Sequence, residues 1–369
     1  MRERWFPCNW RDKPWDRHQL IPAGGNAFLL LASPEPGLPW IQVALLREDD
    51  NLVPAFASTK FWSEWLGTEV ISASALGQDQ SNSSAILALS DGAQVVAKLF
   101  RVVHAGENPE AELLRALEEV NSPCVPRLLA AQYFPWPENE SEEYCSGVVT
   151  EYIADAVDGL TYFKQLDDPT NEGKLLGELT ADLHAALKDT FGPGVAPTSR
   201  LVEYLNLARQ TAGSDLEQLG DSLDDVVAKG IAALENSDMP KQRIHGDFHL
   251  GQLLREKNGN WTIIDFEGEP MRPLLERRNL DLPLRDVAGM LRSISYAADG
   301  RTRWEDTARS AFLKGYFGHS GPESDVLTAL ELEKALYELR YEAQFRPTMK
   351  QIPLKTITSV ATASERARA

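Results

Sequence analysis

Three short strings carry residue types that could move a phosphoryl group. RIHGDFHLGQLL, residues 243–254, sets Asp247 in a His-Gly-Asp turn with Gln252 five positions later. A general base for phosphoryl transfer must reach the acceptor hydroxyl in line with the γ-phosphorus, and a carboxylate on a tight loop suits that task. Asp247 is the expected base, and Gln252, through its amide oxygen, an expected metal ligand. WTIIDFEGEP ends an apolar run in Asp265, eighteen residues after Asp247. An aspartate there can hold Mg²⁺ against the β- and γ-phosphates of ATP. Glu267, two residues on, is either a further ligand of that ion or a solvated loop carboxylate. QVVAKLF carries Lys98 near the end of an apolar strand. Its ammonium could pair with the α- and β-phosphates, steered by a carboxylate of the next helix, for which Glu112 is the candidate. Alone, each string fits an ordinary loop or surface; their order and spacing favour the chemistry.

Further polar residues are open to two readings. GQDQSNSSA, residues 77–85, precedes Lys98 but lacks G-x-G-x-x-G. Ser81, Asn82, Ser83 and Ser84 could contact phosphate through backbone and hydroxyl groups, or form a polar hairpin turn. Glu151 and Tyr152 close a strand whose main-chain groups could read an adenine edge, or they simply end it. Tyr337 and Tyr341 share a helix face, as do Glu338 and Glu342 on the adjoining one. Such carboxylates suit sugar hydroxyls and an ammonium; a packed aromatic stripe beside an exposed acidic one is the alternative. His184 falls in an amphipathic helix and is expected to pack. His249 is expected to support Asp247 rather than move a proton. No zinc-type cluster, G-x-S-x-G elbow or cysteine-nucleophile setting competes.

The elements that must position these groups follow from patterning. Strands are expected at Ala27–Ala32, Trp40–Leu46, Ile86–Leu89 and Gln94–Phe100, the last two joined by an Asp91-Gly92 turn. Asn108 and Pro109 open a helix as N-cap and first helical residue. A strand at Gly147–Ile153 leads, past Gly159, into a helical half. Two short strands interrupt that half, Gln242–His245 and Trp261–Ile264. This order predicts an α+β, two-lobed enzyme with a cleft near Tyr152–Gly159. The domains are expected at residues 1–75, 76–155 and 156–369, as β-rich cap, nucleotide-binding N-lobe and helical C-lobe.

Composition narrows the partners. The formal charge is −18, which opposes nucleic acid or an anionic membrane but not ATP, whose phosphates are held locally. An acidic balance also suits a cationic substrate, or simply a soluble surface. No apolar stretch is long enough to span a bilayer, and no apolar h-region follows the charged start. Three cysteines, Cys8, Cys124 and Cys145, show neither metal nor redox spacing, so reduced thiols in a cytoplasm are expected. Monomer and homodimer are both compatible with the sequence.

With these residues in hand, the chain resembles the maltokinase and glucosamine kinase branch of the aminoglycoside-phosphotransferase-like kinases, which are protein-kinase-like. The matching text is DQSNSS, VVAKLF, NPEAEL, RIHGDFHLGQLL, IIDFEGEP, RPLLERRNLDLPLRDVAGMLRSISYAA and YELRYEAQFRPTMKQIPL, within residues 79–354. Gln252 replaces the asparagine of the kinase pattern H-R-D-x-x-x-x-N. The resemblance implies a small cap domain on the N-lobe, an acceptor site in the C-lobe, and a structural Asp286 tying its helix to the catalytic loop. Asp281 stands where the relatives carry neutral or basic residues, and Met349 where an aromatic platform is usual. Both imply a small cationic acceptor, glucosamine, contacted by Asp281, Glu338 and Tyr341. A maltokinase and an aminoglycoside phosphotransferase are the enzyme alternatives. A pseudokinase-like binding protein predicts loss of Lys98, Asp247 or Asp265, and all three are present.

Overall fold

AFLLLAS turns Ala27, Leu29 and Leu31 to the interior, the two-residue period of a strand with one face on a core. The computed structural model describes residues 17–35, 38–76, 82–194, 201–235, 240–270, 272–319 and 325–366. The chain divides into two units. One comprises residues up to Ala154 with Pro270–Glu276, the other Asp155–Glu269 with Arg277 onward.

The first unit runs β1 (Arg17–Gly24), β2 (Ala27–Ser33), β3 (Trp40–Glu48), β4 (Asn51–Pro54), α1 (Thr59–Leu66) and β5 (Val70–Leu76). It continues through β6 (Ser83–Leu89), β7 (Gln94–Leu99), β8 (Val102–Val103), α2 (Pro109–Glu119), β9 (Leu128–Trp136) and β10 (Asn139–Glu151). Two antiparallel sheets result, ordered β1-β2-β3-β4 with β8 beside β3, and β5-β6-β7-β10-β9. Gly92, at φ +87°, makes the turn between β6 and β7 that the Asp-Gly pair predicts. One buried cluster joins both sheets, through Leu29, Leu31 and Leu46, Phe61, Trp62 and Trp65 of α1, and Leu87, Leu99 and Val148. Gln42 of β3 lies inside it with every amide atom paired. Its Nε2 donates to the carbonyls of Phe100 (2.9 Å) and Ser146 (2.8 Å), and its Oε1 accepts from the Tyr144 hydroxyl at 3.1 Å. A buried amide is tolerable only when satisfied in this way.

The second unit runs β11 (Val157–Asp158), α3 (Gly159–Lys164), α4 (Thr170–Phe191), α5 (Leu201–Leu216), α6 (Gly220–Glu235), β12 (Leu253–Arg255) and β13 (Trp261–Ile263). After α7 (Leu274–Arg277), at the unit boundary, come α8 (Leu284–Ala298), α9 (Thr302–Phe317), α10 (Asp325–Phe345) and α11 (Gln351–Arg366). The small sheet is ordered β11-β12-β13. Glu172 of α4 anchors it by accepting from Arg255 (2.7 Å) and the Trp261 indole (3.0 Å). Helix α8 is buried along Val287, Met290, Leu291 and Ile294, so it can hold a loop rigidly. The strand expected at Gln242–His245 forms no ladder. Gln242 makes an isolated bridge to Asp281, and Lys241 one to Gly194. The next residues leave extended pairing because the backbone of His245 and Gly246 is taken up by a side chain.

Candidate active site

That side chain is Asp286, in the first turn of α8. Its Oδ2 accepts from the backbone N–H of His245 at 2.8 Å, and its Oδ1 from that of Gly246 at 2.9 Å. His184 of α4 meets Oδ2 at 3.1 Å and, through its other nitrogen, the Tyr316 hydroxyl at 2.9 Å. Burial pushes the Asp286 carboxyl up, but the hydrogen bonds from His184 and Gly246 and the nearby histidines hold it below its ordinary value. Gly246 sits at φ +85°, a conformation other residues resist. Two residues on, a Cβ on Gly289 of α8 would stand 2.5 Å from the Phe248 carbonyl, so only glycine lets helix and loop close. His184 packs, as expected, and Asp286 ties α8 to the loop.

Asp247 lies on this fixed loop. The Lys334 ammonium of α10 donates to its Oδ1 at 2.9 Å, and His249 Nε2 lies 3.9 Å from its Oδ2. Burial alone would raise the Asp247 carboxyl; the Lys334 charge and hydrogen bond, with His249 beside it, bring it down to about 2. His249 also accepts the Gly251 N–H at 3.0 Å, a supporting position. Lys334 reaches a second carboxylate, Glu269, at 2.7 Å, and lies 5.0 Å from the Tyr337 ring centroid. Neither Lys334 nor Glu269 was picked out by the sequence. Glu269 sits within the string that yielded Asp265, but Lys334 is 87 residues from Asp247, with no local signal.

The expected metal ligands are adjacent in this unit. Leu253 of β12 pairs with Ile263 of β13, and the Ile264 N–H donates to the Gln252 carbonyl at 2.9 Å. That register brings the Gln252 amide to Asp265 Oδ2 at 3.1 Å. Asp265 has φ +64°, a strained backbone that functional sites often retain. Glu267 is 6% exposed, which excludes the solvated-loop alternative.

In the first unit, Lys98 of β7 donates to Glu110 Oε2 at 2.7 Å. Glu110 is buried, the second residue of α2, and its N–H is capped by Asn108 at 2.8 Å. The expected partner was Glu112. Two residues further along a helix is about 200° round its axis, so Glu112 projects away from the face that Glu110 presents. Ser81 lies outside the described residues. Asn82 Oδ1 accepts the Arg101 N–H at 3.2 Å and Ser83 Oγ the Arg101 Nε at 2.8 Å, while Ser84 stands opposite Lys98 in the ladder. Glu151 turns its carboxylate to Arg127, at 2.9 and 3.1 Å. Tyr152 is half-buried just beyond β10.

The expected acceptor residues divide. Asp281 is 4% exposed and accepts from Arg285 Nε at 2.8 Å and from the Leu282 N–H at 2.8 Å. Both of its oxygens are thus taken within the protein, one by its i,i+4 partner Arg285, which corrects the expectation of a carboxylate presented to a ligand. On α10, Lys334, Glu338 and Glu342 recur every four residues and form one stripe. Glu338 accepts from the fully buried Arg292 at 2.9 and 3.1 Å, and Tyr341 lies under Arg346, 5.4 Å from its ring centroid. Glu342 is 1% exposed; its Oε1 accepts from Arg346 (2.6 Å) and Tyr296 (3.3 Å), while its Oε2 has no partner among the described residues. Burial raises its carboxyl, with Arg346 acting against the shift.

A model of the APH phosphotransferase enzyme family matches residues 72–328. The chain belongs to this family. Glucosamine kinase of Mycolicibacterium smegmatis is 28% identical to this phosphotransferase over 312 residues, covering 74% of this chain and 76% of the relative. Glucosamine kinase of Streptacidiphilus jiangxiensis is 28% identical over 330 residues, covering 76% and 72%. A glucosamine kinase solved with glucosamine, ADP and inorganic phosphate superposes with TM-score 0.64 at 18% identity, over 93% of both chains. Another crystal form of a glucosamine kinase gives 0.67 at 19%, over 96% of both. The phosphotransferase therefore has a kinase-like α+β fold, with a β-rich N-terminal and a helical C-terminal part.

Proposed function

We propose that this phosphotransferase is an ATP-dependent sugar kinase that transfers the γ-phosphoryl group to a hydroxyl of glucosamine. The observation that carries the kinase chemistry is Asp247 on a rigid loop, with Gln252 and Asp265 side by side in the same unit. The two relatives named glucosamine kinase, each matched over about three quarters of its length, support the acceptor. Asp247 would orient the acceptor hydroxyl and take its proton. Lys98, held by Glu110, would pair with the α- and β-phosphates, and the main chain of Glu151–Tyr152 would read the adenine edge. The oxygen donors of Gln252, Asp265 and Glu267 suit a hard ion, so these residues would hold Mg²⁺. Bound there, Mg²⁺ would neutralise charge on the phosphate oxygens. The thiols of Cys124 and Cys145 are buried and not joined in a disulfide, which supports a cytoplasmic place; among the described residues no helix is long and apolar enough to cross a membrane.

Glu342 takes the part first expected of Asp281. Its Oε2, without a partner among the described residues, can still accept a hydrogen bond, and an ammonium there would gain a charge-assisted one of about 1.5–3 kcal/mol. That predicts a roughly ten- to hundredfold preference for glucosamine over glucose. The measurement is kcat/KM for glucosamine, glucose and maltose, in wild type and Glu342→Gln. Glucosamine should be best, with its lead over glucose shrinking in the variant. Maltose as the better substrate would replace this reading with that of a maltokinase.

A further inference from the structure

Among the described residues, the base carries a built-in cation that the proposed chemistry does not require. Lys334 is fixed between two carboxylates, Asp247 Oδ1 at 2.9 Å and Glu269 Oε1 at 2.7 Å, with side chains 14%, 15% and 4% exposed. Three elements meet in that contact: the catalytic loop, the turn after Asp265, and α10. Glu269 is a second, buried anchor for the ammonium, so moving Lys334 away would break both contacts. The other oxygen of the base, Asp247 Oδ2, takes no hydrogen bond among the described residues; the 3.9 Å approach of His249 Nε2 is too long for one. One oxygen is occupied and the other is left open.

We propose that Lys334 is a positioning residue of the phosphoryl transfer: by holding Oδ1 it presents Oδ2 to the acceptor hydroxyl, and its fixed charge keeps the acceptor's own ammonium away from the reacting oxygen. A carboxylate that could rotate would offer two oxygens in changing directions. In-line transfer needs one direction, and small misplacements of reacting groups are costly. The charge has a second effect. Two ammonium groups at one carboxylate repel, so glucosamine must enter with its amine pointing elsewhere. The stripe of α10 offers such a place: Glu342, eight residues on, is about 12 Å further along the helix. Lys334 thus separates the end of the acceptor that reacts from the end that is recognised. The proposal rests on the sugar-kinase reading.

The test compares wild type with Lys334→Met, Lys334→Arg and Glu269→Gln, using ATP with glucosamine and with glucose. Lys334→Met should lower kcat roughly ten- to hundredfold on both sugars while KM for ATP stays within about twofold. Lys334→Arg, which keeps the charge and the hydrogen bonds, should recover much of the loss. Glu269→Gln keeps the contact to Asp247 but loosens its anchor, and should fall between wild type and Lys334→Met. The products of Lys334→Met on glucosamine, resolved by phosphorus NMR, should include phosphorylation at more than one hydroxyl. A well-folded Lys334→Met enzyme with wild-type kcat and a single product would overturn the proposal. So would a loss that follows the folded fraction and is not relieved by arginine. If wild type phosphorylates none of the sugars, the sugar-kinase reading fails instead. ATP hydrolysis to water, which would use the same base, then gives the same comparison of variants.

Discussion

Asp247 and Asp265 are two aspartates of one unit whose surroundings suit them to different work. Asp247 faces a lysine and a histidine, and its charge is guarded; Asp265 faces an amide and sits on strained backbone. Their loss should therefore differ in kind. Asp247→Asn keeps shape and hydrogen bonding but removes the proposed base, so kcat should fall by about two to four orders of magnitude with ATP affinity nearly unchanged. Asp265→Ala should weaken ATP binding and shift its Mg²⁺ dependence as well. Calorimetry of ATP binding across Mg²⁺ concentrations separates the two, and wild-type metal dependence in Asp265→Ala would make that residue structural. Both aspartates, with Gln252 and Lys98, could be singled out as candidates because each stands in a short string with its own chemistry. Partners were harder. Glu110 and Glu112 differ only in the face of the helix they occupy, which the start of α2 at Pro109 decides. The Asp281–Arg285 pair is a local i,i+4 spacing that the sequence did contain, so that misassignment was avoidable.

At the scale of elements, the catalytic loop is held by α8 more than by its neighbours in sequence. Asp286 takes two consecutive backbone N–H groups, Ser293 takes the Leu250 N–H at 3.0 Å, and Gly289 allows the backbones to touch. A methyl at position 289 must displace the Phe248 carbonyl, which is backbone and yields little. Gly289→Ala should cost about 1–3 kcal/mol of stability and reduce kcat more than it raises KM for ATP, because the strain falls on the loop next to Asp247. Chemical denaturation and steady-state kinetics together check this; a variant with wild-type stability and turnover would mean that α8 does not fix the loop. The strands and the capped helix were legible from period and turn chemistry. The pairing of Gln242 was not. Residues 242–245 were expected as a short strand, yet the loop's N–H groups go to a carboxylate forty residues later in the chain, which no local pattern reports.

Taken as a whole, the molecule carries a net charge of −18, yet several buried carboxylates each have their own partner inside the fold. Asp247 has Lys334, Glu338 has Arg292, Asp281 and Glu333 share Arg285, and Asp286 has His184 and two N–H groups. This changes what acidity means here. The net charge argues against polyanionic partners, while among the described residues Asp247 Oδ2 and Glu342 Oε2 take no hydrogen bond. It also makes stability depend on pH in a definite direction. A carboxyl held below its ordinary value in the folded state contributes stability that is present above the unfolded pKa and lost as pH falls through the folded one. For Asp247 those limits are 3.8 and about 2. The Asp247–Lys334 pair is one interaction and is counted once, as on the order of 2 kcal/mol. Asp286 acts in the same sense, and Glu342, held above its ordinary value, in the opposite one. Subtracting an Asp247→Asn variant removes this background. The wild-type advantage in unfolding free energy over the variant should be constant from about pH 7 to 5. It should then shrink steadily from about pH 4 towards pH 2. Urea unfolding of both proteins at each pH measures it, and an advantage that does not change with pH would mean that Lys334 does not hold Asp247 ionised.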